Sequence, residues 1–389
     1  MQRFETIVLG LGAMGSAAAY QLAKRGNRVL GIDRYSPPHA HGSTHGDTRI
    51  TRLGIGEGTQ YSPLALRSHQ IWRELERETG TTLLTTNGGL VLSSTARTSR
   101  SHSDHFFANT VAAAQMYDIP HELWDAGQIR RRFPQFIVAD DESGYFEPGA
   151  GFVRPEECVR VQLGLAERHG AALHRGELAT AFDASDRGVT VTTSQGQYSA
   201  DRLVVAAGPW LPDLVDASVA AHLTIYRQVL CWFDIGGPVT PFLPGNFPVF
   251  IWELQGKRQG LYGFPAVDGP RGGVKVATEQ YDAATTPDAA DRQVSAEEIQ
   301  AIFAEYVEPC LSGLSSKCVK AATCLYTVTP DFGFVIDTLP GADRVLVASP
   351  CSGHGFKHSA AIGEALAQLV IDGRSRLDLR PFALRRFAA

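Results

Sequence analysis

The stretch TIVLGLGAMG, residues Thr6–Gly15, decides the fold of this chain. Its first half is a run of β-branched and apolar residues, which suits a strand buried in a parallel sheet, and its second half has the glycine pattern GxGxxG. Apolar residues then recur at helical spacing as far as Gly26, and Arg28–Ile32 is a second strand-like run that ends in Asp33. The stretch therefore predicts the start of a complete β-α-β unit.

The glycines Gly10, Gly12 and Gly15 indicate a dinucleotide ligand. They permit a tight turn, close approach of the backbone to a pyrophosphate and close packing of the helix, whose N-terminus offers N–H groups to phosphates. Asp33 lies 23 positions after Gly10, near the spacing of about 20 expected for a carboxylate that binds a ribose hydroxyl. The motif alone does not distinguish NAD from FAD.

The rest of the sequence favours FAD, because the regular alternation of strands and helices stops after Asp33. Arg34–Gly58 is a polar loop long enough to cover an extended cofactor. Asp201–Trp210 and Val345–Ser349 are apolar runs typical of a chain that returns to the sheet of a flavoprotein. We therefore predict an α/β fold whose Rossmann-type FAD-binding domain is discontinuous and comprises residues 1–85, 150–220 and 320–389.

The remaining segments, residues 86–149 and 221–319, predict a sheet-rich α+β substrate domain. Aromatic and β-branched residues at strand-like spacing occur in Gln228–Ile235, Phe247–Glu253, Gly260–Phe264 and Gly273–Thr278. Ser295–Leu311 carries apolar residues at helical spacing and predicts a helix beside these strands.

Composition and charge exclude several classes of protein. The 389 residues are 44% hydrophobic and 20% charged with a formal net charge of -5, and no basic tract is available for nucleic acid. No apolar run approaches the roughly 20 residues that span a bilayer, and no secretory leader pattern is visible. Six cysteines lack a CxxC pair, and His354 and His358 lack a third ligand, so neither disulfides nor a metal are expected. The sequence predicts a cytoplasmic enzyme without nucleic-acid or membrane partners.

Further motifs carry a resemblance to a known family. The sequence resembles the monomeric sarcosine oxidase and N-methyltryptophan oxidase family from the first strand nearly to the last helix. The motifs that carry the resemblance are Gly31-Ile32-Asp33-Arg34, Pro37-Pro38-His39, His45-Gly46-Asp47-Thr48-Arg49-Ile50-Thr51-Arg52, Tyr262-Gly263-Phe264-Pro265, Cys324-Leu325-Tyr326-Thr327 and Ser352-Gly353-His354-Gly355-Phe356-Lys357.

The resemblance implies a D-amino-acid-oxidase-like architecture and a monomer. It also implies oxidation of a small secondary amine, an N-methyl or cyclic amino acid, to an imine, with reduction of oxygen to hydrogen peroxide. The residues that it implies for FAD binding are Gly10, Gly12, Gly15, Asp33, Arg34, Thr48, Cys324, Gly353 and Gly355.

Cys324 is the residue through which the resemblance implies a covalent thioether to the flavin. A buried structural thiol is the alternative interpretation. The thiolate is the nucleophilic form of cysteine, and the cations Arg49 or His45 could favour it during attack on the flavin methyl carbon.

Arg52 and Lys357 are implied to bind the substrate carboxylate. A guanidinium fork matches a carboxylate, and an ammonium adds a point charge, although solvated surface cations are the alternative from pattern alone. Tyr262 and Tyr326 are candidate lining residues for the amine end, with core aromatic residues as the alternative.

Lys275 stands in the apolar strand Val274–Val276, where a lone lysine is unusual. The resemblance implies that it activates oxygen, since a fixed cation stabilises the superoxide anion that forms as oxygen is reduced. The alternative is a lysine that extends to solvent at the edge of a sheet. With Lys275, the candidate catalytic residues are Arg49, His45 and Tyr262.

Glu279 is a departure from the family, whose examples carry a histidine four residues after the lysine. If the strand continues, Lys275 and Glu279 share one face, roughly 13 Å apart at about 3.3 Å per residue, and both face the substrate cavity. The alternative is that the strand ends early and Glu279 is solvated. An ionised Glu279 would repel a substrate carboxylate, so we predict poor activity on sarcosine and a larger substrate with a donor or cationic group.

Two other classes of function remain open. A flavin-dependent dehydrogenase that passes electrons to a protein or quinone would share the fold, and slow reoxidation in air would distinguish it. A non-catalytic flavin-binding or redox-sensing module would show no turnover with any amine.

Overall fold

The computed structural model describes residues 3–99 and 102–387. Strands β1 to β20 are, in chain order, Arg3–Leu9, Val29–Asp33, Arg49–Thr51, Leu84–Thr86, Gly89–Ser93, Glu122–Asp125, Ser143–Glu147, Gly151–Val153, Ala172–Arg175, Ala179–Ser185, Gly188–Thr193, Gly196–Val205, Thr224–Ile235, Val249–Trp252, Leu261–Phe264, Val274–Thr278, Ala284–Thr285, Leu314–Val328, Val335–Leu339 and Ala342–Ser349. Helices α1 to α8 are Ala13–Lys24, Ser62–Thr79, Phe106–Met116, Ala126–Arg132, Pro155–Arg168, Ala217–Ala220, Ala296–Ile302 and Ser359–Asp372.

Five parallel strands form the centre of the first sheet, in the order β9-β2-β1-β12-β20. The pair β10 and β11 extends it antiparallel to β12, and β19 runs antiparallel to β20. The predicted β-α-β unit is confirmed as β1, α1 and β2, and both predicted returns join its sheet. Val205 is in register with Leu9 on one side and Val347 on the other, so the carboxyl ends of these strands meet at one edge.

Nine strands form the second sheet, in the order β17-β13-β16-β15-β14-β5-β7-β6, with β18 also paired to β13. The four strands predicted between residues 228 and 278 are all present in this sheet. The predicted domain boundary at residue 320 falls inside β18, because its pairing with β13 continues as far as Val328. The other predicted boundaries remain a proposal. A third, small sheet joins β3, β8 and β4.

The helix predicted over Ser295–Leu311 is α-helical only as far as Ile302. Ser295 caps its start in a capping box with Glu298, which satisfies backbone donors that would otherwise lack partners. A π-helical turn over Phe303–Val307 follows, where the N–H of Glu308 donates to the carbonyl of Phe303 at 2.9 Å. The predicted helix is therefore correct in type and too long at its C-terminus.

Helix α1 is held against the first sheet by α5 and α8. The crossing with α8 is close, because a Cβ atom added to Gly363 would lie 2.3 Å from the Cβ of Ala17. Interiors packed at this density resist displacement, so the N-terminus of α1 is fixed beside the carboxyl edge of the sheet.

Candidate active site

A cavity of about 530 Å³ extends from the carboxyl edge of the first sheet to the second sheet. Gly10 and Asp33 contribute to its wall from the first sheet, and Tyr262 and Glu279 contribute from the second. The polar loop of residues 34–58 also lines it, with His39, Ser43, Thr44, Arg49, Arg52 and Glu57. Ligand sites of parallel sheets lie at this edge, which agrees with the predicted role of the loop.

The predicted phosphate loop has the geometry that its glycines require. Gly10 has a φ of 82°, and a Cβ atom on it would lie 2.4 Å from the carbonyl oxygen of Ala206. A Cβ atom on Gly15 would lie 1.7 Å from the carbonyl oxygen of Gly10, so Gly15 permits helix packing and does not line the cavity. Gly12 does line the cavity. The atom nearest to a Cβ atom added at Gly12 would be the Thr44 hydroxyl oxygen, at 3.4 Å, which leaves room for a ligand.

Asp33 is fixed at the end of β2 by backbone donors. Its Oδ2 accepts from the N–H of Leu11 at 2.7 Å, and its Oδ1 accepts from the N–H of Tyr35 at 2.8 Å. The carboxylate lines the cavity and ties the glycine loop to β2. It is therefore held in place for the ribose contact that the sequence predicts.

Arg34 lines the cavity and is engaged by a residue that the sequence analysis missed. Its Nη1 lies 3.0 Å from both carboxylate oxygens of Asp288, and the indole N–H of Trp210 donates to the same carboxylate at 3.1 Å. The guanidinium also lies over the rings of Tyr35 and Trp210. Asp288 belongs to a polar turn without a recognisable motif, so no sequence signal indicated it.

Cys324 is fully buried beside two residues of the polar loop. Arg49 Nη2 donates to its Sγ at 3.4 Å, and Sγ lies 3.5 Å from the carbonyl oxygen of Ser43. Arg49 and Ser43 both line the cavity, whereas Cys324 lies directly behind them. The structure thus brings Cys324 and Arg49 together, as the sequence analysis expects. His45 is also buried, and burial followed by the charge of Arg49 lowers its pKa to about 3, so His45 is neutral and is not the cation that the sequence analysis offers as an alternative to Arg49.

Lys275 is buried between the second sheet and the polar loop. Its Nζ donates to the carbonyl oxygens of Gly46 and Thr48 at 2.7 and 2.9 Å, and to the Thr48 hydroxyl at 3.3 Å. It lies over the rings of Phe264 and Trp232, at 4.5 and 5.3 Å from their centroids. Burial and the nearby charge of Arg49 lower the pKa of Lys275. Three oxygen acceptors match the three N–H donors of an ammonium, so the contacts favour the charged form.

Arg52 and Lys357 are brought together by a buried carboxylate, Glu57. Arg52 Nη2 donates to Glu57 Oε2 at 2.7 Å, and Lys357 Nζ lies 3.5 Å from Glu57 Oε1. Burial alone would raise the pKa of Glu57, but these two cations hold it well below its usual value. Burial lowers the pKa of Lys357 to about 8. All three side chains line the cavity, where two cations face one anion.

Glu279 lines the cavity next to His102, which the sequence analysis missed. The strand β16 ends at Thr278, yet Glu279 is not solvated, since its side chain is only 19% exposed. Its Oε2 lies 3.2 Å from His102 Nε2. The prediction that Glu279 and Lys275 both face the cavity holds for Glu279 alone, because the Lys275 ammonium is directed into the loop at Gly46 and Thr48.

Tyr262 and Tyr326 form a hydrogen-bonded pair on the cavity wall, with their hydroxyl oxygens 3.2 Å apart. Burial raises the pKa of both phenols, so both are neutral donors at ordinary pH. Glu279 and Arg49 both act on the pKa of Tyr262, which the carboxylate raises and the guanidinium lowers.

The remaining predicted positions divide into those on the cavity wall and those behind it. Gly353 and Gly355 line the cavity; a Cβ atom on Gly353 would lie 2.7 Å from His102 Nε2. The predicted residues that do not line it are Gly15, His45, Thr48, Lys275 and Cys324. Within residues 3–99 and 102–387 no group of three histidine, cysteine or acidic side chains could hold a metal ion.

Comparison with known proteins shows the class to which this fold and site belong. The model of the FAD dependent oxidoreductase family matches residues 5–369. The chain belongs to this family and is an FAD-dependent oxidoreductase with a D-amino-acid-oxidase-like fold. The fold is also that of NikD, described as an unusual amino acid oxidase essential for nikkomycin biosynthesis, with a TM-score of 0.85, 24% identity and 98% coverage of both chains.

The particular branch of the family follows from closer relatives. The chain is 41% identical over 387 residues to a monomeric sarcosine oxidase of Streptomyces avermitilis, covering 99% of this chain and 98% of that one. It is 34% identical over 388 residues to the N-methyl-L-tryptophan oxidase of Escherichia coli K12, covering 99% and 100%. The chain therefore belongs with the monomeric sarcosine oxidases and N-methyltryptophan oxidases, and the resemblance found in its motifs is confirmed.

The residues at the first-sheet end of the cavity fit FAD. Gly12 leaves open space at the N-terminus of α1, where N–H groups attract phosphate. The Ser349 hydroxyl lines the cavity and has no hydrogen-bond partner within the part of the chain that the structure describes, so it is available to a ligand. Gly10, Gly12, Asp33 and Ser349 are the residues that would hold the cofactor.

Proposed function

We propose that this chain is an oxidase that converts a secondary amino acid, N-methylated or cyclic, to its imine and passes the electrons to oxygen. The observation that carries this proposal is the buried cation pair Arg52 and Lys357 on the wall of a cavity that also fits FAD. Glu57 balances one of these two positive charges, so this end of the cavity keeps a net positive charge, which a substrate carboxylate matches. Relatives named sarcosine oxidase and N-methyl-L-tryptophan oxidase support an N-methyl amino acid.

Each part of the site has a proposed role in this reaction. Arg52 and Lys357 bind the substrate carboxylate and thereby fix the position of the neighbouring C–H bond. Tyr262 and Tyr326 shape the amine end, and Arg49 keeps Cys324 beside the cofactor. The bound FAD would supply the acceptor for a hydride. Lys275 supplies a fixed positive charge for the reduction of oxygen.

The attachment of the flavin, the second product, the oligomeric state and the cellular location are also proposals. We propose covalent attachment of FAD through Cys324, supported by the Arg49 contact at 3.4 Å, and hydrogen peroxide as the second product. No helix among the described residues has the length and apolar character to cross a bilayer. A monomer is supported by the name of the relatives, and a cytoplasmic location by the free cysteines.

A panel of amines tests the substrate class. Peroxide formation is measured with sarcosine, N-methyltryptophan, pipecolate and proline, and at least one is expected to give turnover.

Because Glu279 places a carboxylate at the amine end, Glu279→His is expected to raise the activity on sarcosine relative to that on the larger substrates, by about tenfold for a contact worth about 1.4 kcal/mol. The same activity ratios in both proteins would show that Glu279 does not set specificity.

A further inference from the structure

A continuous row of polar side chains connects the carboxylate end of the cavity to its amine end. Glu57 Oε1 lies 3.5 Å from Lys357 Nζ and 3.6 Å from His102 Nδ1. The other ring nitrogen, His102 Nε2, lies 3.2 Å from Glu279 Oε2 and 2.9 Å from the Tyr281 hydroxyl. His102 therefore bridges two carboxylates, Glu57 on the side of Lys357 and Glu279 at the amine end.

The row places alternating charges along the wall. Burial would lower the pKa of His102, but Glu279 and Glu57 raise it above its usual value, which favours the imidazolium. The sequence of charges is then positive at Lys357, negative at Glu57, positive at His102 and negative at Glu279. An amino acid in its usual zwitterionic form carries a carboxylate next to an ammonium. With the carboxylate on the cations at one end, the ammonium is directed towards the anion at the other.

A secondary ammonium has to lose a proton before it is oxidised to an imine, since its nitrogen needs a free electron pair. An alkyl ammonium has a pKa near 10, so only a small fraction of free substrate is neutral at pH 7.5. A base inside the cavity would remove this limitation, and a buried carboxylate with a raised pKa suits that task. Burial raises the pKa of Glu279, partly opposed by the charge of His102.

We infer that Glu279 is the group that accepts the proton of the substrate ammonium, and that His102 positions it. In this step the N–H bond of the ammonium breaks, its electron pair stays on nitrogen, and the proton forms an O–H bond with the Glu279 carboxylate. The inference rests on the proposed function and assigns a role within it. His102, at 3.2 Å, and a hydrogen bond from Tyr281 hold the Glu279 carboxylate at the cavity wall.

Other groups near Glu279 are less suited to this role. Tyr262, Tyr326 and Tyr281 are phenols whose pKa burial raises, so they remain protonated. Glu57 has a pKa held well below its usual value by Arg52 and Lys357. The titratable and charged groups that act on the His102 and Glu279 pair are Glu57, Lys357, His354, Tyr262, Tyr281 and Tyr326.

The test is the rate of flavin bleaching by a secondary amino acid under anaerobic conditions, measured from pH 6 to pH 10. Glu279→Gln is expected to slow bleaching by about 10²-fold at pH 7.5 and to approach the wild-type rate near pH 10, where neutral amine is available from solution. Methoxyacetate, a carboxylate without an ammonium, should still perturb the flavin absorbance of both proteins, and it should bind the variant at least as tightly because the variant lacks the negative charge of Glu279. This binding also shows that the variant is folded.

Two further variants separate a proton acceptor from a structural residue. Glu253→Gln removes another buried carboxylate of the cavity wall, one that is paired with Arg97 at 3.1 Å, and should keep the wild-type pH profile. His102→Asn removes the charge that lowers the pKa of Glu279. The Glu279 carboxylate then exists only at higher pH, so the acidic limb of the profile should move to higher pH.

The possible failures are distinguishable. A Glu279→Gln protein that is bleached at the wild-type rate at pH 7.5, with an unchanged profile, overturns the inference and leaves the proposed function intact. A variant that is slow at every pH up to 10 also overturns it, because neutral amine would then not restore the rate. A wild-type protein that no secondary amino acid bleaches overturns the proposed function and the inference with it.

Discussion

Replacing Cys324 with alanine is expected to release all of the FAD when the protein is precipitated with acid, whereas the wild-type precipitate stays yellow. A thioether survives denaturation, and the remaining contacts of the cofactor do not. Cys324 is fully buried, and its Sγ accepts a hydrogen bond from a guanidinium nitrogen of Arg49 at 3.4 Å, which holds it at the cavity wall. The measurement is the flavin absorbance of pellet and supernatant, together with the intact mass of the protein.

Cys351 provides the matched control, because it is a second thiol that lines the same cavity. Its Sγ accepts from the N–H of Thr327 at 3.4 Å, and burial raises its pKa, so it is the less reactive thiol. Cys351→Ala should keep the flavin in the pellet. Free flavin from the wild-type protein would contradict attachment altogether, and loss of flavin only in Cys351→Ala would assign it to the other cysteine.

Lys275→Met is expected to slow the reaction of the reduced enzyme with oxygen by about 10²–10³-fold or more, the usual effect of removing one preorganised group that stabilises a developing anion. Reduction by substrate should change much less, because the Lys275 ammonium does not line the cavity and donates to Gly46 and Thr48. The two half-reactions are measured separately, by anaerobic bleaching and by mixing the bleached enzyme with oxygenated buffer.

Lys320 is the matched control for Lys275, since both ammonium groups lie over the ring of Trp232. Lys320 is half exposed and pairs with Asp47 at 2.6 Å. Lys320→Met should therefore keep the wild-type rate with oxygen. Equal slowing in both variants would attribute the effect to the packing around Trp232, and an unchanged Lys275→Met would reject the role of that lysine.

The cofactor end of the site was predictable from the sequence because its determinants are local. One β-α-β unit contains Gly10, Gly12 and Asp33, and backbone geometry brings these residues together without help from distant segments. The motifs also identified Arg52 and Lys357. Glu57 lies in the same polar loop, five residues after Arg52. Two buried cations require a nearby anion, and this requirement could have identified Glu57 from the sequence.

The row from Glu57 through His102 to Glu279 was not predictable in the same way. His102 and Glu279 are 177 positions apart in the chain, and they meet because separate segments converge on the second sheet. The position of Lys275 behind the cavity wall also depends on tertiary structure, since the loop at Gly46 and Thr48 supplies its acceptors. The alternation of side chains along a strand predicts which face of the sheet a residue lies on. It does not predict which segment of the chain packs against that face.

The proposed function requires that the protein oxidise a secondary amino acid and that its reduced flavin react with oxygen. The direct measurement is to mix the yellow protein with N-methyl amino acids without air, follow the flavin absorbance, and then admit air. The expected result is loss of the yellow colour, its rapid return in air, and one hydrogen peroxide for each imine formed. Colour that persists with every secondary amine would contradict the claim, and colour that is lost but returns only with a quinone or protein acceptor would identify a dehydrogenase.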